Sequence, residues 1–438
     1  ISANKDNPKG GAAAAQGLLA KTITGIDVHN EYWLNSLLSG ARTQVVNAIG
    51  TTLHMVYKPL EGIIGSIGGD AAARTFFRKQ MVYSAHIMTE TIKVLGALGL
   101  NKASRIMGRQ TDEAYMANRA ALFEEGGQGA GALAGARKAF RTGKGTLESR
   151  SELFDVQPSA AITGDLLGDS ASQWAKDAID VIGNMIRLPS RFMITTDELF
   201  KQLQFRASAM AKLFNEAVET LPRNAQTEDN IKHYMTERFQ GLIRSNGSRF
   251  TPDVIRDEAY RNYTAAVTKA ESEGTALPEE FQNKEQYILD YVDKNYVQNK
   301  DKSVLSEFAM DWAEDATFTR GLDADLKRLQ EQGHLTDASS FSKGVQDFAT
   351  KHSWLRVVMP FIRTPVNLLK FPLQRLPLLQ DKALNQKSGF LKKLHMRYQA
   401  DILSDDPIKV AEAKGRMRTG ALMYGSIVMF AGSGQVTG

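Results

Sequence analysis

Between positions 351 and 400 the chain carries ten Lys or Arg and a single acid, Asp381, a local charge of +9 in a protein whose total is +5. Charge concentrated in this way suits contact with a polyanion. The target would be nucleic-acid phosphates, or an anionic membrane surface where each base near the lipid contributes about 1 kcal/mol. Within this arm, residues 354–377 read WLRVVMPFIRTPVNLLKFPLQRLP and combine bases, large apolar side chains and four prolines. The candidate contacts are Arg356, Arg363, Lys370, Arg375, Lys392, Lys393 and Arg397. Arginine offers bidentate bonds to phosphate, and the interleaved Trp354, Phe361, Phe371 and Leu373 can bury against helices or enter a lipid interface. Residues 251–330, just before the arm, hold seventeen acids and ten bases, a net of −7. Pairing of this acidic block with the arm, or plain solvation of a basic face, is the duller use of the same residues.

Motifs for catalysis are weaker. Gly129, Gly131 and Ala134 fit G-x-G-x-x-A, but a dinucleotide fingerprint needs a preceding strand to aim helix amides at pyrophosphate, and a Gly-rich loop is the expected reading. Gly143 and Lys144 lack the other residues of a phosphate loop, since Gly145 stands where a hydroxyl would hold magnesium. Glu148 and Ser149 resemble the opening of a lytic transglycosylase motif without its continuation. The seven histidines, at 29, 54, 86, 233, 334, 352 and 395, include no pair at helical spacing with an intervening Glu, and metal catalysis has no support. No cofactor is expected. Cysteine is absent, which removes disulfides and thiolate chemistry.

Positioning these residues falls to helices. Hydrophobic periodicity near 3.6 dominates and no series of alternating strands is found, so the fold class is all-α. The spacing predicts helices over 32–57, 71–98, 113–123, 171–186, 197–220, 230–243, 252–271, 284–296, 304–330 and 388–403. The helix at 197–220 is expected to start at a capping box formed by Thr195 and Glu198. Breaks are expected at 126–135 (GGQGAGALAG), 244–251 and 332–343. Prolines at 360, 365, 372 and 377 forbid one continuous helix in the arm. The expected organisation is a flexible lead-in (1–24), a helical region (25–125), a Gly-rich basic linker (126–146), a helical region (147–250), an acidic helical region (251–345), and the arm with an apolar C-terminal segment (346–438). Opening on Ile1 without an initiator Met suggests a segment of a longer polypeptide.

Residues 45–69 are apolar but interrupted by His54, Lys58, Pro59 and Glu61. Residues 421–438 are uncharged, and Leu422, Met423, Tyr424, Ile427, Val428, Met429 and Phe430 form their apolar centre. At about 13 residues this run is short of the roughly 20 that a spanning helix needs. Its readings are a buried core helix, an interfacial helix or a truncated membrane segment.

Four stretches carry a resemblance. NSLLSGARTQVVNAIG (35–50), IRLPSRFMITTDELFKQLQFRASAMAKLFNEA (186–217), the 354–377 segment, and RTGALMYGSIVMFAGSGQVTG (418–438) resemble, in order, blocks of the very large internal virion proteins of tailed bacteriophages. The resemblance implies an α-helical part of a protein packaged in the capsid and expelled at infection, where it helps build a conduit for DNA across the cell envelope. It also implies homo-oligomers, contact with other phage ejection or core proteins, non-sequence-specific contact with double-stranded DNA, and a passage through the host periplasm to the inner membrane. It assigns no catalytic residue. The alternatives are a packing segment of a giant virion-packaged enzyme, such as a polymerase or a peptidoglycan-cleaving protein, and an unrelated membrane-remodelling helical protein.

Overall fold

The computed structural model describes residues 41–147, 162–167, 172–244, 247–317 and 404–433, with a few isolated positions including Glu31, Asn35, Phe371 and Arg375. The protein is all-α. Among the described residues its α-helices are α1 (Ala41–Gly65), α2 (Ala71–Ile106), α3 (Asp112–Glu125), α4 (Gly127–Thr142), α5 (Gln173–Ile186), α6 (Leu188–Thr220), α7 (Glu228–Phe239), α8 (Pro252–Glu273), α9 (Lys284–Asn295), α10 (Lys300–Ala316) and α11 (Pro407–Gly432). Among the described residues the only β-type pairing is an antiparallel bridge between Ile243 and Arg249, which closes the turn expected at 244–251. Several helix starts are sharply set. Asp70, Thr111, Thr227, Thr251, Asn283 and Asp406 each accept a bond from a free amide of the first turn.

Helix α6 is the axis of the molecule. From Phe200 to Ala209 every residue is buried, so the helix is covered on all sides. Its Phe205, Ala209 and Leu213 pack with Met235, Leu242, Leu305 and Met310. Ala211 joins Phe76, Phe77 and Trp312, while Phe200, Leu203 and Ala207 meet Met55, Ile87 and Ala132. Three clusters therefore surround one helix, and α2, α4, α7 and α10 are its sleeve.

Two expectations are corrected here. Residues 126–146 are not a linker, because 127–142 form α4, which buries Gly129, Ala132, Gly135, Ala136 and Ala139. Glycine costs about 1 kcal/mol in a helix interior, but a Cβ on Gly129 would strike the α2 backbone at Thr91, and one on Gly135 would strike Gln202 of α6. The glycines are there to let three helices approach. The helix at 197–220 in fact begins at Leu188, with Pro189 in its first turn. Thr195 gives its hydroxyl to Arg191 O within the helix, and Glu198 is buried, so neither forms a cap. Residues 318–330 of the expected 304–330 helix, the 388–403 helix and the break at 332–343 lie outside the described residues.

Helices α1 and α11 pair antiparallel. Tyr57 reaches Met423, Thr419 gives its hydroxyl to Glu61, and Arg418 donates to Ile64 O. Small residues permit the contact: a Cβ on Gly65 would overlap Ala411 O, and one on Gly415 would overlap Glu61 O. Replacing Gly415 with Leu forces the two backbones apart and is expected to cost about 3 kcal/mol. Urea unfolding followed by circular dichroism checks this, and an unchanged midpoint would contradict the packing described.

Candidate functional site

The interior of this fold is unusually polar where α1, α10 and α11 meet. His54, Lys58 and Glu61 recur along one face of α1 and point inward. Lys58 Nζ lies 3.1 Å from Asp315 and 3.7 Å from Glu412, and sits 3.8 Å above the Trp312 ring. Glu412 is in turn paired with Arg416, one turn further along α11. Glu61 receives Arg375 through Nε and Nη2 at 2.8 and 2.5 Å, and the Thr419 hydroxyl at 2.7 Å. The Arg375 guanidinium also stacks 3.5 Å from the Phe371 ring centre and donates to Phe371 O. His54 donates Nδ1–H to Ala316 O at 3.0 Å, and burial holds its pKa down to about 4, with Lys58 and Arg375 adding to the shift. A neutral imidazole that donates Nδ1–H fits this carbonyl.

A second node lies on α6. Glu198 accepts from the Thr146 amide and hydroxyl and from Gln202. Burial pushes its carboxyl above the usual range, although these bonds oppose the shift. Gln202 also donates to Gly247 O at 3.0 Å, and Gly247, at φ +82°, sits against the Gly135 backbone. Gln204 Oε1 accepts from Gln80 of α2 and Trp312 of α10. Arg206 bonds Gln128 at the start of α4, with burial lowering its pKa to about 10, so it stays a cation at neutral pH.

Chemically, both nodes tie buried carboxylates to internal partners, although in the second Gln202 Oε1, Gln204 Nε2 and Arg206 Nε are buried without a hydrogen bond. Their carboxylates are each met by a cation, an amide or a hydroxyl, an arrangement that fixes helix against helix. Beside the first node an open cleft of about 1200 Å³ has Lys58, Trp312 and Glu412 at its base, with Lys212, Glu216 and Arg238 among its walls. Its charges are of both signs. Among the described residues no group of three metal-ligating side chains is placed to hold an ion.

Of the residues singled out for polyanion contact, Arg375 is moved to another role. It is 4% exposed and serves an internal ion pair, a use for which the sequence held no local sign, since Glu61 lies 314 positions away. Arg356, Arg363, Lys370, Lys392, Lys393 and Arg397 lie outside the described residues. Lys58 with Asp315 is one pair that engages the acidic block, and its cation comes from α1 rather than from the arm. The apolar candidates Leu422, Met423, Ile427, Val428 and Met429 are exposed on the last turns of α11, with Tyr424 half-buried; the Phe430 side chain is outside the described set. No helix among the described residues is long and apolar enough to cross a membrane. Gly129 and Gly131 are packing glycines inside α4, and Gly143 is its left-handed C-cap at φ +68°; Glu148 and Ser149 lie outside the described residues. The outward apolar faces of α1 and α5 were missed, although residues 174–192 carry the periodicity that would have revealed one of them.

No sequence family matches the chain, and no curated protein or solved structure is significantly similar to it.

Two expectations follow for stability. Arg375→Gln leaves Glu61 buried with only the Thr419 hydroxyl and should cost about 3–5 kcal/mol, whereas an E61L/R375L pair recovers most of that loss; a double-mutant cycle by urea titration measures it. For pH, the unfolded His54 binds a proton between about 4 and 6.5 that the folded one refuses, so stability on the order of 3 kcal/mol is lost as pH falls through that window. Glu198 acts oppositely, because its folded carboxyl holds the proton longer and stability falls as pH rises above 4.5. Unfolding midpoints from pH 4 to 7 should lose the first slope in His54→Gln and the second in Glu198→Gln.

Proposed function

We propose that this chain is a structural part of a phage DNA-ejection apparatus, packaged in the virion and assembling in several copies into a conduit for DNA. The observation that carries the reading is the inside-out pair formed by α1 and α11. The face of α1 with His54, Lys58 and Glu61 is turned into the core, while Val45, Ile49, Leu53, Val56 and Leu60 form a stripe along its exposed side. From the Tyr57–Met423 contact the N-terminal half of α1 and the C-terminal half of α11 continue in the same direction, and the latter is uncharged and exposed from Ala421 to Met429, apart from half-buried Tyr424.

A soluble monomer rarely leaves an apolar patch larger than a few hundred Å² in water. The exposed run of α11, about 13 Å long at 1.5 Å per residue, is too short for the roughly 30 Å of a bilayer core, which favours packing between neighbouring chains. Heterologous contacts that close make rings, and a ring is the geometry a DNA conduit requires. The ordered resemblance of 35–50, 186–217, 354–377 and 418–438 to internal virion proteins supports the same assignment. DNA contact then falls to the remaining arm bases, Arg356, Arg363, Lys370, Lys392, Lys393 and Arg397, and has to be sequence-independent because a genome slides past them.

Mass photometry of the purified chain tests the assembly. A discrete oligomer is expected, and Leu53→Glu or Ile427→Glu should reduce it to monomer without loss of helicity. A parent protein that stays monomeric alone and shows no ordered copies in phage particles would rule the reading out.

A further inference from the structure

A second inside-out surface runs along α5 and the first turns of α6, where Phe192 packs against α4, far along the chain from α1 and α11. Helix α5 turns its polar face inward. Asp180 accepts the Gly164 amide, Gly183 packs on Ile162 O, and Arg187, at the junction with α6, binds both Glu31 and Ile162 O. The opposite face is apolar and in water: Trp174 is 78% exposed, and Val181, Ile182 and Met185 follow it at helical spacing. The stripe passes the Arg187 junction to Leu188 and Phe192, the latter 61% exposed.

Cations border this stripe. Phe192 meets Phe140 of α4 edge-on, with ring centres 6.0 Å apart, and Arg137 lies one helical turn before Phe140. Arg141 and Lys144 continue the exposed basic run, and α4 contains no acid. Lys138, on the other flank of α4, is close enough to Arg261 of α8 for the two to repel, and burial with that repulsion lowers the Lys138 pKa. Among the described residues none of Arg137, Lys138, Arg141, Lys144 and Arg261 has an ion-pair partner. Exposed bases on a helix that carries no acid, beside an outward aromatic and aliphatic stripe with one acid, Asp177, at its edge, complement a surface that is anionic at one depth and apolar just beneath.

We propose that this surface of α5 and α6, with the bases of α4, is a peripheral docking face for an anionic lipid bilayer. The stripe from Trp174 to Phe192 lies flat at the headgroup boundary, because α5 with its 14 residues is too short to span. Trp174 and Phe192 enter the acyl edge while Arg137, Arg141 and Lys144 meet lipid phosphates. This surface is separate from the one formed by α1 and α11, and it acts whether or not the chain assembles through that pair.

The test uses the full chain with phosphatidylcholine vesicles containing or lacking phosphatidylglycerol. Co-flotation is expected only with the anionic lipid, together with a blue shift of tryptophan emission that disappears in Trp174→Phe. The variant R137Q/R141Q/K144Q should bind on the order of 100-fold more weakly. Ile182→Glu with Met185→Glu should abolish flotation while leaving circular dichroism and the assembly state unchanged, and Leu53→Glu or Ile427→Glu should leave flotation intact. Vesicle binding that ignores lipid charge, or that survives the Ile182/Met185 change, overturns the proposal. So does lipid-free self-association lost in that variant, since the face would then belong to a second copy of the chain.

Discussion

Polar side chains carried into a water-poor interior have to find partners there, and this requirement sets the positions of most helices. Leaving one buried charge unpaired costs several kcal/mol, and α6 alone brings Glu198, Lys201, Gln202, Gln204 and Arg206 into the core. Each is answered from a different place. Lys201 pairs with Asp197 on its own helix, Gln204 with α2 and α10, Arg206 with the first turn of α4, and Glu198 and Gln202 with residues 146 and 247. Apolar packing around Phe205, Leu203 and Ala211 would tolerate sliding or rotation of the surrounding helices. The polar partners do not, so they convert a generic bundle into a specified one.

The same requirement explains the outer surface. When α1 and α5 commit their polar faces to internal partners, their apolar faces are left outside by geometry. A helix has two sides, and using the charged one for Lys58–Asp315 or Arg187–Glu31 leaves Leu53 or Val181 with water or a partner. The exposed apolar faces of α1 and α5 are therefore by-products of how the core is held together.

Periodicity made the helices legible in the sequence, but their starts were not: the one capping box expected, Thr195 with Glu198, lies inside α6, and the caps at Thr251 and Asn283 were not singled out. What could not be read was direction. An amphipathic pattern says that a helix has two faces and says nothing about which one faces in; for α1 and α5 the usual assignment is reversed because the partners of the polar faces lie far off in sequence. The glycines of α4 misled for a related reason, since their use depends on Glu90, Thr91 and Gln202, which no local rule connects to them. Arg375 looked like its neighbours in the basic arm, and only the position of Glu61 sets it apart.

The pairing of α1 with α11 also has a consequence in time. Tyr57 and Met423 are 366 positions apart, so a ribosome elongating at about 5–20 residues per second needs roughly 20–70 s between making one and the other. For most of that interval Glu61 has neither Arg375 nor Thr419, and Lys58 lacks Glu412. The nascent chain thus holds an early helix whose charged side has no sink and whose greasy side has no cover. Long-range closure of this kind leaves α1 uncovered until α11 emerges, the stage at which exposed apolar surface is most prone to wrong contacts.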